Sequence, residues 1–477
     1  MNIILLVADT FRYKNCGFNG YKPSYSENKA SPTPNIDNLA EKSILFDNFY
    51  SQINCTHPSF TTMLSGRYPI SHTIISHASL HEIIDGVVMF PEILRDNGIK
   101  TVAIDNMYRW FVKGFQDYIH PVGENAVPNS FIVEANQVVD KGINWLESHN
   151  NEDPFFMMLH FWDPHVPYSP PKEYEKMYYN GNPKNPTNPD TLSMNDIEEK
   201  LDLIFKGFQS RWERINDINY YKAQYDAEIA FMDKQIGRFI EYLKDNGYLE
   251  DTMLIFTADH GESMGENDIY FTHVHLYDQM MHLPLLIHYP KKYKNSNGRI
   301  QPLVGNVDLA PTILELYGLE VPEYFEGKSF VPLLENGGDH HREKIYMFEH
   351  EAISRRGVRT KKWKFIKNAR NPKDDIVKSR LQALGYIALD VGEVDDKELY
   401  DLENDPEEEE NIIEEHPEIA KELEEDLETF VEEIINTVGI EDPQQQQDLE
   451  PWGEFDDARQ WLLLLNERNQ KFKTYDP

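Results

Sequence analysis

"NIILLVAD", residues 2–9, is an unbroken apolar run that ends in a carboxylate and is followed by Thr10. Such a run suits a strand buried on both faces of a parallel sheet, with its last residue offered at the carboxyl end. The same shape returns at "PFFMMLHFWDPH" (154–165) and "DTMLIFTADHGE" (251–262). In open α/β sheets ligands sit beyond the carboxyl ends of the strands, so three strands ending in Asp or His point to one shared site. Helical stretches lie between them. "TPNIDNLAEKS" (33–43) opens on Pro, "YYKAQYDAEIAFMDKQIGRFIEYLKDNG" (220–247) is amphipathic and stops at Asn-Gly, and "VDLAPTILELYGL" (307–319) also stops at Gly. The alternation predicts an α/β protein with a mostly parallel sheet sandwiched by helices.

With 477 residues, 40% of them hydrophobic and 12% aromatic, the chain can bury a sizeable core. Its formal charge of −36 lacks the basic footprint that a nucleic-acid backbone or an anionic membrane demands, and both are excluded as partner classes. On this background an anionic substrate would need a local positive centre, such as a metal ion, to overcome it. Two cysteines, Cys16 and Cys55, form no disulfide framework and fit a reducing compartment. The first residues are too short in apolar length for a signal peptide, and no run reaches the ~18 apolar residues of a membrane span. A soluble, cytoplasmic protein is expected.

From about residue 340 the texture changes. "REKIYMFEH", "SRRGVRTKKWKFIKN" and "KELYDLENDP" read as strands and turns of a smaller subdomain, followed by acidic helices over 417–439 and 456–472. The expected organisation is a catalytic domain over 1–340, with the Pro- and Asn-rich 165–220 as a substrate-side insertion. A C-terminal α+β subdomain with acidic helices fills 341–477. Its last apolar cluster, in "PWGEFDDARQWLLLLNERNQ", suits packing on the body or a homo-oligomer.

The chain resembles the sulfatase family of the alkaline phosphatase superfamily. The resemblance is carried by "LLVADTFR" (5–12), "TPNIDNLAEKSILFDNFYS" (33–51), "PSFTTMLSGRYPISH" (58–72), "WDPHVPY" (162–168), "TMLIFTADHGESMGEND" (252–268), "HVHLYDQMMHLPLLI" (273–287) and "ELYDLENDP" (398–406). It implies an alkaline phosphatase-like fold and metal-dependent hydrolysis of an anionic ester. The family's usual nucleophile region reads Cys-x-Pro-Ser-Arg, whose Cys becomes formylglycine. Counting back from Pro58-Ser59 and from Ser65-Gly66-Arg67, that position falls on Thr56; Cys55 is one residue early, and Phe60 stands where the arginine belongs. Threonine there is similar to the phosphoryl-handling branches of the superfamily, in which the hydroxyl attacks phosphorus and forms a covalent intermediate.

A threonine hydroxyl is a poor nucleophile at neutral pH and needs a base, a lowered pKa or a metal. Asp9, Asp259 and His260, at strand ends, are the expected first ligands of a divalent cation bridged by Thr56. Thr10 stands where sulfatases carry a second Asp; one carboxylate fewer beside a retained imidazole shifts preference from calcium towards manganese or zinc. His165 aligns with a substrate-facing histidine of the family. His273 sits where many sulfatases place a substrate-binding lysine, and is expected to contact the ester or protonate its leaving group. His275, two residues on, would face the same side in an extended segment. Asn106 and Thr10 are expected at the substrate and Asp163 at a second metal, whereas His57 and His72 read as structural. These residues predict a hydrolase of a phosphodiester or phosphonate monoester. Sulfate ester hydrolysis is the alternative, and phosphoryl transfer the less favoured one.

Overall fold

The computed structural model describes residues 1–76, 82–122, 133–149, 153–166, 168–183, 217–290, 298–350, 354–370 and 395–447. The first strands are β1 (Asn2–Ala8), β2 (Ile44–Tyr50), β3 (Lys100–Ile104), β4 (Asp117–Ile119), β5 (Phe155–Phe161) and β6 (Thr252–Ala258). A short pair follows, β7 (Ser263–Met264) and β8 (Tyr270–Thr272), and then β9 (His282–His288), β10 (Gly298–Ile300) and β11 (Val304–Gly305). The main sheet runs in the order β10-β2-β9-β6-β1-β5-β3-β4, with β11 also paired to β2. Only β9 runs against its neighbours β2 and β6; the other pairings are parallel. The expected α/β architecture is therefore present, and the reason lies in the three apolar runs. Every side chain of β5 and of β6 is buried, so neither face of those strands can meet water and helices must cover both.

Because β1 lies between β5 and β6 in parallel register, Ala8 pairs with both Phe161 and Ala258. Asp9, Trp162 and Asp259 thus leave the sheet at one level. The helices Pro34–Ala40, Ile218–Asp245 and Leu309–Leu316 fall within the stretches predicted for them or overlap them closely.

A second, antiparallel sheet has the order β12 (Ile345–Glu349), β13 (Arg355–Arg359), β14 (Trp363–Asn368), β15 (Lys397–Asp401). The helix Pro417–Val438 packs Leu423, Leu427 and Val431 into one cluster with Phe348, Val358 and Phe365. This cluster also takes in Ile53 and Cys55, and Phe348 N–H donates to the Gln52 carbonyl at 2.9 Å. The smaller sheet is thereby tied to the loop that precedes Thr56. Most of the expected 165–220 insertion, and the expected helix over 456–472, lie outside the described residues. Among the described residues no helix is long and apolar enough to cross a membrane.

Candidate active site

Thr56 opens the helix Thr56–Ser65, with Cys55 as the extended residue before it. The two neighbouring side chains go opposite ways. Cys55 is buried in the apolar cluster beneath the smaller sheet, whereas the Thr56 hydroxyl lies 3.3 Å from His260 Nε2. The helix is held to the end of β6 by Ser59, whose hydroxyl donates to the Asp259 carbonyl at 2.7 Å. Asn306 in turn donates to Ser59 at 2.9 Å and to Ser51 at 3.1 Å, so the helix start has little freedom to shift. After His260 the chain turns at Gly261, where a Cβ would stand 2.2 Å from the Gln279 carbonyl oxygen. Only glycine fits that approach.

Asp9, Asp259 and His260 each offer a ligand atom within 4.8 Å of the others, and all three are fully buried. His260 Nδ1–H donates to the Gly261 carbonyl at 3.0 Å, which leaves Nε2 as the lone-pair nitrogen. That nitrogen lies 3.4 Å from Asp259 Oδ2 and 3.7 Å from Asp9 Oδ1. Both oxygens of Asp9, together with Asp259 Oδ2, are buried and accept no hydrogen bond among the described residues. Carboxylate oxygens left so are costly unless a cation pairs them. Two carboxylates and one correctly oriented imidazole fit a divalent ion.

The electrostatics point the same way. Burial would raise the Asp9 carboxyl, but His165, His160 and His260 outweigh it and hold it well below the usual carboxylate range. Asp259 is pushed well up, first by burial and then by the charge of Asp9 beside it. A cation between the two removes that conflict.

Around this group the expected residues divide. His273 has its ring centroid 4.4 Å from that of His260, and the His165 ring lies 5.9 Å beyond it, so the three imidazoles line one side of the site. Thr10 is fully buried with φ of 54°, a strained conformation for a β-branched residue, and its N–H donates to Asp259 Oδ1 at 3.2 Å. The Tyr225 hydroxyl donates to the Thr10 carbonyl at 2.8 Å, which holds the strained turn. Asn106 is buried, and its side-chain carbonyl accepts from the Trp162 indole.

One expectation is corrected. His275 does not share a face with His273, because its φ of 85° breaks the extended alternation. It is turned instead onto Arg355 and Glu398 of the smaller sheet and stacks on Tyr277 at 3.8 Å. Asp163, expected at a second metal, stands apart from the Asp9–Asp259–His260 group. It is buried where its charge meets Glu134 and Glu228, and burial pushes its carboxyl up to about 7. The structural readings of His57 and His72 agree with their packing: His57 lies against Phe111, and His72 accepts from the Ile74 N–H at Nδ1 and donates from Nε2 to the Thr62 hydroxyl at 3.0 Å.

Three residues were not singled out from the sequence. His160, within β5, donates from Nδ1 to Asp105 Oδ1 at 2.7 Å and turns Nε2 to Asp9 Oδ2 at 3.6 Å. Burial opposes its charge, yet Asp105 and Asp9 lift its pKa to about 10. It supplies a positive charge behind Asp9. Asp105 ends β3 much as Asp9 ends β1, and that was its available signal. Glu262, fully buried, lies 3.9 Å from His273 Nδ1, with burial raising its carboxyl to about 8.

A mostly parallel sheet carrying a buried acid–imidazole group at its carboxyl edge, with an antiparallel sheet appended, is the alkaline phosphatase-like class of hydrolase. Comparison with known proteins narrows this. The family described as Sulfatase matches residues 1–319, and the C-terminal region of N-sulphoglucosamine sulphohydrolase matches residues 265–377. The chain belongs to the sulfatase family and is a hydrolase acting on ester bonds. It is 26% identical over 463 residues to N-acetylglucosamine-6-O-sulfatase of Bacteroides thetaiotaomicron, covering 80% of this chain and 78% of that one. Its fold is similar to that of a protein solved with its substrate D-glucosamine-2-N,6-O-disulfate, with a TM-score of 0.71, 24% identity and coverage of 94% and 99%. It is also similar in fold to the phosphonate monoester hydrolase of Agrobacterium radiobacter, with a TM-score of 0.67, 20% identity and coverage of 91% and 96%.

Proposed function

We propose that the chain hydrolyses a small anionic ester in two stages, with Thr56 as the attacking group in place of the family's formylglycine. The observation that carries this reading is the opposed placement of two neighbours, Thr56 at His260 Nε2 and Cys55 in the apolar cluster. An aldehyde made at residue 55 would face hydrocarbon; the hydroxyl of residue 56 faces the ligand atoms. A divalent cation held by Asp9, Asp259 and His260 would supply the positive charge that acidifies the Thr56 hydroxyl and offsets the charge of the ester. Manganese or zinc suits two carboxylates and an imidazole, and calcium is the alternative that the family resemblance favours.

The residues then divide the work. Thr56 Oγ1 attacks sulfur or phosphorus from the N-terminus of its helix, where backbone N–H groups favour an anion. His160, charged and lodged behind Asp9, keeps that carboxylate ionised. His273 protonates the departing alcohol oxygen, and His165 holds a non-bridging oxygen. Water then cleaves the ester formed on Thr56.

The named relatives support a sulfate ester as the substrate, which reverses the order expected from Thr56 alone. A phosphodiester or phosphonate monoester is the second reading, and the Thr56 hydroxyl favours it. A formylglycine hydrate expels sulfate by collapsing to the aldehyde. A sulfo-threonine has no such route and must be opened by water at sulfur. The test is a panel of aryl sulfate, phosphate monoester, phosphate diester and phosphonate ester, each with manganese, zinc and calcium. Turnover of the sulfate ester alone supports the first reading, turnover of the phosphorus esters alone the second, and turnover of none in any metal defeats both.

A further inference from the structure

Glu262 belongs to none of the roles above, yet it is fully buried within the same group of side chains. One of its oxygens, Oε2, accepts from the Tyr168 hydroxyl at 3.2 Å, and the other, Oε1, is buried, accepts no hydrogen bond among the described residues, and lies 3.9 Å from His273 Nδ1. Tyr168 is itself fixed. Its ring packs edge-on against Tyr225 with centroids 5.4 Å apart, and Tyr225 is bonded to the Thr10 carbonyl and to the Arg12 N–H. The far side of His273 is also held, because Asn54, two residues before Thr56, donates to the His273 carbonyl at 2.7 Å. The backbone of His273 is thus tied to the nucleophile loop, while one ring nitrogen faces a carboxyl group whose other oxygen is anchored.

We propose that Glu262 is a positioning residue for His273. It takes the Nδ1–H, at a distance a small ring rotation closes to a hydrogen bond, and so turns Nε2 towards the leaving oxygen. The inference rests on the reading in which His273 protonates the leaving alcohol. In that step the Thr56 Oγ1 anion, its proton already lost to solvent, forms the new bond to sulfur or phosphorus. The bond to the alcohol oxygen breaks with its electron pair kept on oxygen, and that oxygen takes the proton from the His273 imidazolium. Glu262 gives and receives no proton. Its contribution is orientation, and orientation matters most where the leaving group most needs the proton.

The test uses the metal-loaded enzyme, whichever anionic ester it turns over, and two forms of that ester: a para-nitrophenyl ester, which leaves readily without a proton, and an alkyl ester, which does not. Glu262→Gln is expected to lower kcat on the alkyl ester by about 10- to 100-fold, to change it less than about threefold on the para-nitrophenyl ester, and to leave KM within about twofold. Tyr168→Phe removes only a hydroxyl and is expected to show the same contrast at smaller amplitude, so a poorly folding Glu262→Gln leaves the question decidable. Equal losses on both esters, a change confined to KM, or activity recovered by adding metal would overturn the proposal. If His273→Ala shows the contrast and Glu262→Gln does not, only this inference falls. If His273→Ala lacks it, the reading beneath falls too.

Discussion

His273 and His275 stand two residues apart and belong to different machinery. His273 stands at the site, its ring beside His260. His275 is clamped by Arg355 and Glu398, and Glu398 also accepts from Tyr277 at 3.1 Å and Tyr400 at 2.9 Å. Three residues further on, Asp278 is paired with Arg359 at 3.0 Å and Lys364 at 2.5 Å. Both of these buried acids have an arginine or lysine from the smaller sheet. At the end of the main sheet the buried acids are differently provided for: among the described residues the positive groups beside Asp9 are imidazoles, and three carboxylate oxygens of the Asp9–Asp259 pair accept no hydrogen bond. Acids with fixed internal partners hold structure together, and the Asp9–Asp259 pair, which lacks them, fits a cation from outside. The seam grips residues 275–278, so the smaller sheet also sets where the chain carrying His273 can lie.

The contrast can be broken at either end. The largest effect is expected at the metal group. Asp9→Asn, measured by elemental analysis and turnover, is expected to lose bound divalent metal and at least ~10³-fold in kcat. The metal-free variant is expected to be no less stable than chelated wild type, since it has shed a buried charge. Arg355→Met strands Glu398 instead. It is expected to cost about 3–5 kcal/mol in denaturant unfolding, with metal content per folded molecule unchanged. Loss of metal there would erase the distinction. His273→Ala is expected to lower kcat by about 10²-fold with metal retained.

A gentler measurement sharpens the seam. Burial would raise the Asp278 carboxyl, but Arg359 and Lys364 outweigh it and hold it well below the usual range. A carboxyl depressed in the folded state stabilises above its unfolded value, about 4, and that contribution fades as pH falls towards the folded value. Stability from about pH 5 downward is therefore expected to drop in wild type and to drop less steeply in Arg359→Met. Parallel slopes in the two proteins would show that Asp278 is not coupled to Arg359.

Much of this arrangement is legible in the sequence for one physical reason. Asp9, Asp259 and His260 each break an apolar run, and a polar residue at the exposed end of a buried parallel strand has little structural excuse. Thr56 is legible from its distance to Pro58-Ser59 and Gly66-Arg67. His160 is hidden because β5 is buried on both faces, so no alternation separates a site histidine from a core position. His275 is misplaced by local spacing because a left-handed φ at a non-glycine residue is imposed by tertiary contacts. Asp163 lies in the turn from Trp162 to His165, where it is buried.

The claim beneath all of this is that residue 56, not residue 55, carries the transferred group. Rapid acid quench of the metal-loaded enzyme during turnover, followed by peptide mass spectrometry across residues 51–68, reads it directly. One added sulfo or phospho group on Thr56, absent in Thr56→Ala, with an unmodified thiol at Cys55, is the result expected. An aldehyde at residue 55, or full turnover by Thr56→Ala, would contradict it.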